Sequence, residues 1–282
     1  MPAEIRCGVV GDPIAHSLSP ALHRAGFSEL GVVASYDATR VEAGGLAEHV
    51  AQLGPQWRGL SVTAPLKREA MALAAEVTDT ARIAGGANTL VRLPGGHGWS
   101  ADNTDLPGAV AAVRERYAGD VHAVTILGGG ATASSTALAL ARLGARRVRL
   151  LVREVARADD TAAALRAHAH LEVEVGLLGD ETIGEVVVST VPAAAQTPDV
   201  VRSAASAAVV FEVVYDPWPT PLAAAAAARG QVVVSGLDLL VHQGVLQQHA
   251  FAEVAADPEQ DLRLVAALRA AGEAELARRA GA

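Results

Sequence analysis

His122-Ala123-Val124-Thr125-Ile126-Leu127-Gly128-Gly129-Gly130-Ala131-Thr132-Ala133 is the stretch whose reading decides the fold. Residues 122–127 make an apolar run of strand length, three glycines follow without a spacer, and an alanine-rich helical segment continues to Leu143. Gly128, Gly130 and Ala133 fit the pattern G-x-G-x-x-A. In that pattern the first glycine makes the turn, the second lets backbone approach a pyrophosphate, and the small third residue packs helix on strand. A plain tight turn is the bland alternative, and the flanking strand and helix favour dinucleotide binding.

Toward the C-terminus, Arg147–Val152 reads as the next strand and delivers Arg153 to its end, with Arg157 one helical turn later. An arginine about 20 residues past the first glycine suits a 2′-phosphate, hence NADP. Glu154 keeps NAD open, because a carboxylate there either takes free ribose hydroxyls or pairs with the arginines. Solvated surface arginines are the competing reading. Strands over 171–175, 185–190, 208–214 and 231–234, with helices at 199–205 and in the alanine run ending near Arg229, complete a doubly wound sheet. Tyr215-Asp216-Pro217-Trp218-Pro219 is a rigid loop at a strand's C-terminal end, either a ligand contact or a turn with buried aromatics. Helices over 236–255 and 259–277 bring no further strand and are expected to pack back on the first half.

Toward the N-terminus, strands at 5–10, 32–39 and 59–62 alternate with helices at 21–30 and 45–53, which predicts an α/β unit with a largely parallel sheet. A hairpin over 87–93 and 98–101 is expected to put Asn88 and Asn103 near opposite ends of neighbouring strands. Lys67 is the only lysine in a chain that otherwise uses arginine. Lysine, unlike arginine, can exchange its proton during chemistry. Pro65 suits the first turn of a helix, setting Lys67 near its positive end. Asn88-Thr89 and Asn103-Thr104 hold the only asparagines, and Asp105 follows as the start of a helix to Arg116. Survival of these rare types by chance is the competing account. Ser17 and Ser19 project the same way on an extended segment, so they can hold a small carboxylate. Alternatively, Ser19 simply caps the helix that Pro20 opens.

The 282 residues allow one large domain or two ordinary ones, and a net charge of −8 argues against nucleic acid or an anionic membrane surface as partner. No apolar run is long enough to span a bilayer. Cys7 is alone, which forbids an internal disulfide, suits a cytoplasmic setting and reads best as a small buried strand residue. The histidines are scattered, His168 and His170 face different ways on a helix, and no cysteine cluster or H-E-x-x-H occurs, so no metal site is expected. The absence of G-x-S-x-G disfavours a serine hydrolase.

Across nearly its full length the sequence resembles the shikimate dehydrogenase family. The matching residues are Gly11-x-Pro13-Ile14-x-His16-Ser17-x-Ser19-Pro20-x-x-His23, Val62-Thr63-x-Pro65-x-Lys67, Ala87-Asn88-Thr89-Leu90 and Asp102-Asn103-Thr104-Asp105. They continue with Gly128-x-Gly130, Tyr215-Asp216-Pro217-x-x-Thr220-Pro221-Leu222 and Gly236-Leu237-Asp238-Leu239-Leu240-x-His242-Gln243. Ser61 stands where many relatives have Asn, and Val152 precedes Arg153 where Asn is frequent.

The resemblance implies two α/β domains: a substrate domain of residues 1–105 completed by the C-terminal helices of 238–282, and a Rossmann-type doubly wound parallel sheet over 106–237 that binds NADP. It implies Lys67 and Asp105 as the catalytic pair, Ser17 and Ser19 on the substrate carboxylate with Tyr215, and Thr63, Asn88 and Gln243 on ring hydroxyls. Gly128, Gly129, Gly130, Ala131, Arg153 and Arg157 match the cofactor contacts, joined by Asp79, Thr190, Val213 and Gly236. The implied reaction interconverts 3-dehydroshikimate and shikimate in a soluble monomer or homodimer. The rival readings are a quinate or aminoshikimate paralogue and a non-catalytic regulator that binds shikimate and a dinucleotide.

Overall fold

The computed structural model describes residues 4–167 and 171–281. His168 and His170, weighed above as metal ligands, lie outside the described residues. The first half runs β1 (Ile5–Gly11), α1 (Ser19–Glu29), β2 (Ala34–Arg40), α2 (Leu46–Ala51), β3 (Trp57–Val62), α3 (Lys67–Leu73), β4 (Glu76–Val77), α4 (Asp79–Ala84), β5 (Thr89–Arg92) and β6 (Trp99–Asp102). There follow α5 (Asp105–Arg116), β7 (Ala123–Leu127), α6 (Ala131–Arg142), β8 (Arg147–Val152), α7 (Asp159–Ala167), β9 (Glu172–Leu177), β10 (Val186–Ser189), α8 (Pro198–Ser203) and β11 (Val209–Glu212). The chain closes with α9 (Pro221–Ala228), β12 (Val232–Ser235), α10 (Gly236–Ala252) and α11 (Pro258–Ala280). It divides into two compact units, one of residues through Thr104 with those from Leu240 onward, the other Asp105–Leu239.

The first unit is built on a six-stranded sheet ordered β2-β1-β3-β5-β6-β4. β1 runs parallel to β2 and β3, whereas β5 is antiparallel to β3 and β6. The sheet is largely parallel, as expected, with β5 its one reversed strand, because the short Pro94-Gly95-Gly96 connection returns the chain at once and only antiparallel strands can be joined that way. Its register pairs Thr89 with Asp102. Asn88 and Asn103 consequently sit at the same end of the two strands, not at opposite ends as the sequence suggested. β4 and α4 went unforeseen because neither is long enough to show a period; local chemistry makes them instead. Thr78 caps α4 by accepting from Ala81 N, and Gly85, at φ 70°, ends it.

Side chains alternate across this sheet as strand geometry requires. Val10, Leu60, Val62 and Leu90 join Leu46, Leu66, Ala70 and Ala81 in a core with α2, α3 and α4. Cys7 and Val9 pack with Phe27, Tyr36 and Phe251 in a second core with α1 and α10. Burial pushes the Cys7 thiol up to about 12, in keeping with a small apolar strand residue. Gln243, Gln247 and Phe251 recur at helical spacing along α10 and form one stripe. Phe251 closes on Gly59, where an added Cβ would lie 2.1 Å from its ring. Two further glycines admit tight helix packing: a Cβ at Gly26 would meet Gln248 and Leu268, and one at Gly244 would meet Leu268.

The second unit holds a six-stranded sheet ordered β12-β11-β10-β7-β8-β9, all of whose pairs are parallel. Counted from β7, this is the doubly wound order of dinucleotide-binding folds, with the direction reversing between β7 and β10. Strands buried on both faces need continuous apolar sequence, and Val186-Val187-Val188 and Val209-Val210-Phe211 supply it, each fully buried. Among the described residues no helix is long and apolar enough to cross a membrane.

Gly59→Ala should destabilise the protein by ~1–3 kcal/mol through overpacking against Phe251, whose ring is fully enclosed. In urea unfolding, Phe251→Leu in the same chain should recover part of that loss; additive losses would show that the two positions do not meet.

Candidate active site

In the first unit Asn88 is the centre of a buried polar cradle. Its Nδ2 donates to Thr104 Oγ1 at 2.9 Å and to Gln243 Oε1 at 3.1 Å, while its Oδ1 accepts from Thr104 N at 2.8 Å and Thr89 Oγ1 at 2.8 Å. β5 and β6 bring Asn88 and Thr104 together from adjacent strand ends, and α10 adds Gln243. Asn103 ties the same strand end to the Lys67 segment: its Nδ2 donates to Gly86 O at 2.7 Å, and Ala87 N donates to Lys67 O at 2.9 Å. Gly86 lies so close that an added Cβ would come 3.2 Å from Lys67 Cβ.

Lys67 is half-buried and is the first residue of α3; Pro65 stands in the preceding turn, after a cis Ala64-Pro65 bond, and not inside the helix as expected. Thr63 is anchored through its N–H to Val10 O at 2.9 Å, and Gly11 leaves space for its methyl, since a Cβ there would fall 2.3 Å from Thr63 Cγ2. Asp105 follows Thr104 directly and puts a carboxylate in the first turn of α5.

Ser17 and Ser19 flank the start of α1. The capping expectation for Ser19 fails: Leu18 occupies the cap position and Ser19 is already helical. Ser17 Oγ instead accepts from Ser19 N at 3.2 Å. Arg279 of α11 fixes the approach loop by donating to His16 O and Ser17 O.

Behind these residues lies a second polar layer that the motif reading missed. Tyr36 OH donates to Ser61 Oγ at 2.6 Å, and Ser61 Oγ donates to Gln247 Oε1 at 2.7 Å. Gln247 Nε2 donates to Asn88 O at 3.0 Å and Thr89 Oγ1 at 2.9 Å, so its amide oxygen must be the acceptor on its other side. That fixes His23, 3.0 Å away, as the Nε2–H tautomer. Its Nδ1 then accepts from Gln248 Nε2 at 3.1 Å, and its ring stacks on Tyr36 with centroids 4.3 Å apart. The available signal was the glutamine spacing 243, 247 and 248 on an otherwise apolar helix, since buried amides need partners.

In the second unit the expected nucleotide residues gather at the C-terminal ends of the parallel strands. Gly128 has φ 122°, and a Cβ on it would lie 2.2 Å from Thr190 Oγ1, so the first glycine serves both the turn and the meeting of β7 with β10. Thr190 donates through Oγ1 to Leu127 O at 3.0 Å across the same switch point. Gly129 is hemmed in by Arg157 O and Val152, whereas Gly130 has open space where a Cβ would be. Ala131 starts α6, which has no acidic residue in its first turn. This open glycine at a helix start fits a pyrophosphate. Arg153 is exposed at the end of β8, and Arg157 pairs with Glu154 at 3.5 Å. Asp79 belongs to the first unit, where it is exposed beside Arg82.

Val213 follows β11 with its N–H on Ser189 O at 2.9 Å, and a Cβ at Gly236 would meet Val213 O at 2.0 Å and Tyr215 at 3.3 Å. Tyr215 is half-buried and Trp218 is 43% exposed, so the loop is not a turn around buried aromatics. Its anchor is Glu212, fully buried, which accepts from Gln196 Nε2 at 2.6 Å, Thr220 Oγ1 at 2.8 Å and Val214 N at 3.1 Å. Burial raises its carboxyl above the usual range against the downward pull of these donors. Among the described residues no group of His, Cys, Asp or Glu is placed to hold a metal ion.

A doubly wound sheet with a glycine turn at its switch point, joined to a mixed α/β unit with a polar cradle, defines a Rossmann-type dinucleotide-binding class. A family model described as the shikimate dehydrogenase substrate binding domain matches residues 9–90. The shikimate dehydrogenase (NADP(+)) of Caulobacter vibrioides strain NA1000 / CB15N is 36% identical over 290 residues, spanning 94% of this chain and 95% of its own. The crystal structure of Mycobacterium tuberculosis shikimate dehydrogenase is 37% identical with a TM-score of 0.82, covering 93% of this chain and 99% of that one. The shikimate 5-dehydrogenase of Thermus thermophilus, solved with NADP(H) and shikimate, is 27% identical with a TM-score of 0.77 over 95% and 99% of the two chains. The chain belongs to the shikimate dehydrogenase family.

His23 gives the first unit a pH dependence. Burial drives its imidazole down from the usual 6.5 to about 3, against a smaller upward pull from Gln247. Between these values the unfolded chain holds a proton that the folded protein refuses. Stability is therefore complete above the upper value and falls as pH drops, by up to ~1.4 kcal/mol per pH unit. Urea midpoints taken from about pH 7 to about pH 4 should fall more steeply for the unaltered protein than for His23→Gln; equal slopes would assign the effect elsewhere.

Proposed function

We propose that this protein catalyses the reversible NADP-dependent reduction of 3-dehydroshikimate to shikimate, a step toward aromatic precursors. The observation that carries the reading is the grip on Asn88: Thr104 and Gln243 hold its amide in one orientation, beside a strand end that is hydrogen-bonded to the Lys67 segment and leads into Asp105. A side chain so fixed can read a ring hydroxyl, and its fixed geometry supports discrimination between substrates. Family membership supplies the substrate class.

When bound, NADP(H) supplies or accepts the hydride at the ring carbon bearing the reacting oxygen. Lys67 and Asp105 handle the proton on that oxygen: the ammonium stabilises developing negative charge, and the pair gives or takes the proton as direction demands. Thr63, Asn88 and Gln243 orient the ring through its hydroxyls, and Ser17 and Ser19, with Tyr215, hold the carboxylate. Gly128–Ala131 would hold the pyrophosphate of NADP, and Thr190, Val213, Gly236 and Asp79 are the further residues assigned to the cofactor. Arg153 would take the 2′-phosphate together with Arg157, which is paired with Glu154. The buried lone cysteine suits a cytoplasmic enzyme, and the working unit is a monomer or homodimer.

Nicotinamide absorbance on mixing the protein with shikimate or quinate and each cofactor tests the reading; turnover with shikimate and NADP is expected, and quinate preference would overturn the substrate assignment. Lys67→Ala should lower kcat by ~10²–10⁴-fold with substrate binding largely kept, and a near-normal rate would remove Lys67 from the chemistry. Arg153→Ala should weaken NADP by ~10-fold or more and NAD little; equal losses would remove its phosphate role.

A further inference from the structure

We infer that Glu212, as a carboxylate ion, is a positioning residue for substrate binding: it closes the base of the loop that carries Tyr215 and so sets that side chain for the substrate. The inference rests on the reading of Tyr215 as a substrate ligand, and the convergence of three donors on one buried carboxylate carries it.

Glu212 is the last residue of β11 and is fully buried. Its Oε1 accepts from Val214 N at 3.1 Å, while its Oε2 accepts from Thr220 Oγ1 at 2.8 Å and Gln196 Nε2 at 2.6 Å. One side chain therefore grips the chain just before Tyr215 and again just after Pro219. Between these points Pro217 and Pro219 have no N–H with which to fix the segment. On its other side the Tyr215 ring lies against Gly236, where an added Cβ would fall 3.3 Å from it.

Each partner is fixed as a donor. Val214 N can only donate. Leu222 N donates to Gln196 Oε1 at 2.9 Å, which turns Gln196 Nε2 toward Glu212. Thr220 Oγ1 accepts from Ala223 N at 3.2 Å as the cap of α9, leaving its hydrogen for Glu212. None of these partners carries a charge. In register beside Glu212 stand Ser189 on β10 and Ser235 on β12. The titratable groups further along are Tyr215 and Asp216 in the loop and Asp238, which accepts from Ser235 and pairs with Arg116 at 2.8 Å. Three donors aimed at one acid suit an ion, and a proton on Glu212 turns charge-assisted bonds into neutral ones about half as strong. Burial raises this carboxyl above the usual range, so the loosening begins early as pH falls.

Calorimetric Kd values for shikimate from about pH 8 to about pH 5 test this. Glu212→Gln, whose amide sets a donor against a donor whichever way it turns, should weaken shikimate by about fivefold to tenfold at the upper end, with NADP affinity largely kept. Toward the lower end its ratio to the unaltered protein should shrink toward one, as Glu212 itself takes up a proton. In a Tyr215→Phe background the same substitution should change Kd by less than about twofold. Thr220→Val removes one donor from the ion and should move the pH at which shikimate binding weakens upward by about one unit, while Thr220→Ser should restore it. That pair carries the test should Glu212→Gln not fold. An unchanged Kd, a ratio constant with pH, equal losses of shikimate and NADP, or a full effect without the Tyr215 phenol would overturn the proposal. If the same protein turns shikimate over, the proposal falls alone; if the unaltered protein binds no shikimate, it falls together with the reading it rests on. Shikimate binding with the expected pattern but without turnover would leave it standing and overturn the enzymatic reading instead.

Discussion

The amide of Gln247 satisfies four partners at once and sits where two strands and two helices of the first unit converge. Its oxygen takes Ser61 and His23, and its nitrogen serves Asn88 O and Thr89. A buried amide left with one valence empty costs ~1–3 kcal/mol, so each partner constrains the next. The tautomer of His23, the proton order of Tyr36 and Ser61, and the position of Asn88 all follow from the way this one group must face. Packing gives α10 its place through Phe251 on Gly59, and hydrogen bonding then gives it its register.

The second unit solves a different problem. Its central strands β7, β10 and β11 are buried and nearly all apolar, so order there comes from parallel pairing and close backbone approach, while β8 and β9 pair Arg147 and Arg149 with Glu172 and Glu174 at the sheet's edge. At the C-terminal ends of the central strands polar groups gather. There Thr190 bridges to Leu127, and Glu212 gathers Gln196, Thr220 and Val214 N. A buried carboxylate with several donors and a raised proton affinity is costly to maintain, and what it holds is the loop bearing Tyr215.

Much of this was legible in the chain. The glycine turn at Gly128, the strand Arg147–Val152 and the Rossmann order announce themselves because continuous apolar runs and glycine spacing are local signals. The first unit was read less well. Its hairpin reverses β5 alone within an otherwise parallel sheet, and β4 and α4 are too short to show a period. Of the polar cradle, rarity pointed to Asn88 and Lys67, and resemblance pointed to Gln243. His23 and Ser61 were in view only as family positions, and their link with Tyr36 and Gln247 escaped because it is made across up to 224 residues of chain, and no single segment carries its signature. Ser19 misled for the opposite reason: a serine before proline carries a strong local capping signal, yet the helix starts one residue earlier, with Leu18 at the cap and Ser19 already helical.

Lys67 has one more implication. Every other side-chain cation among lysine and arginine is a guanidinium, so apart from the α-amino group the molecule presents amine-directed reagents with a single nucleophile, half-buried at the start of α3. Acylation, reductive methylation with an isotopic carbon, or attachment of a fluorinated tag would each report on one defined position without any engineered cysteine or removal of competing lysines. Few folded chains of this size come with such a native handle, and here it stands next to the residues whose arrangement matters most.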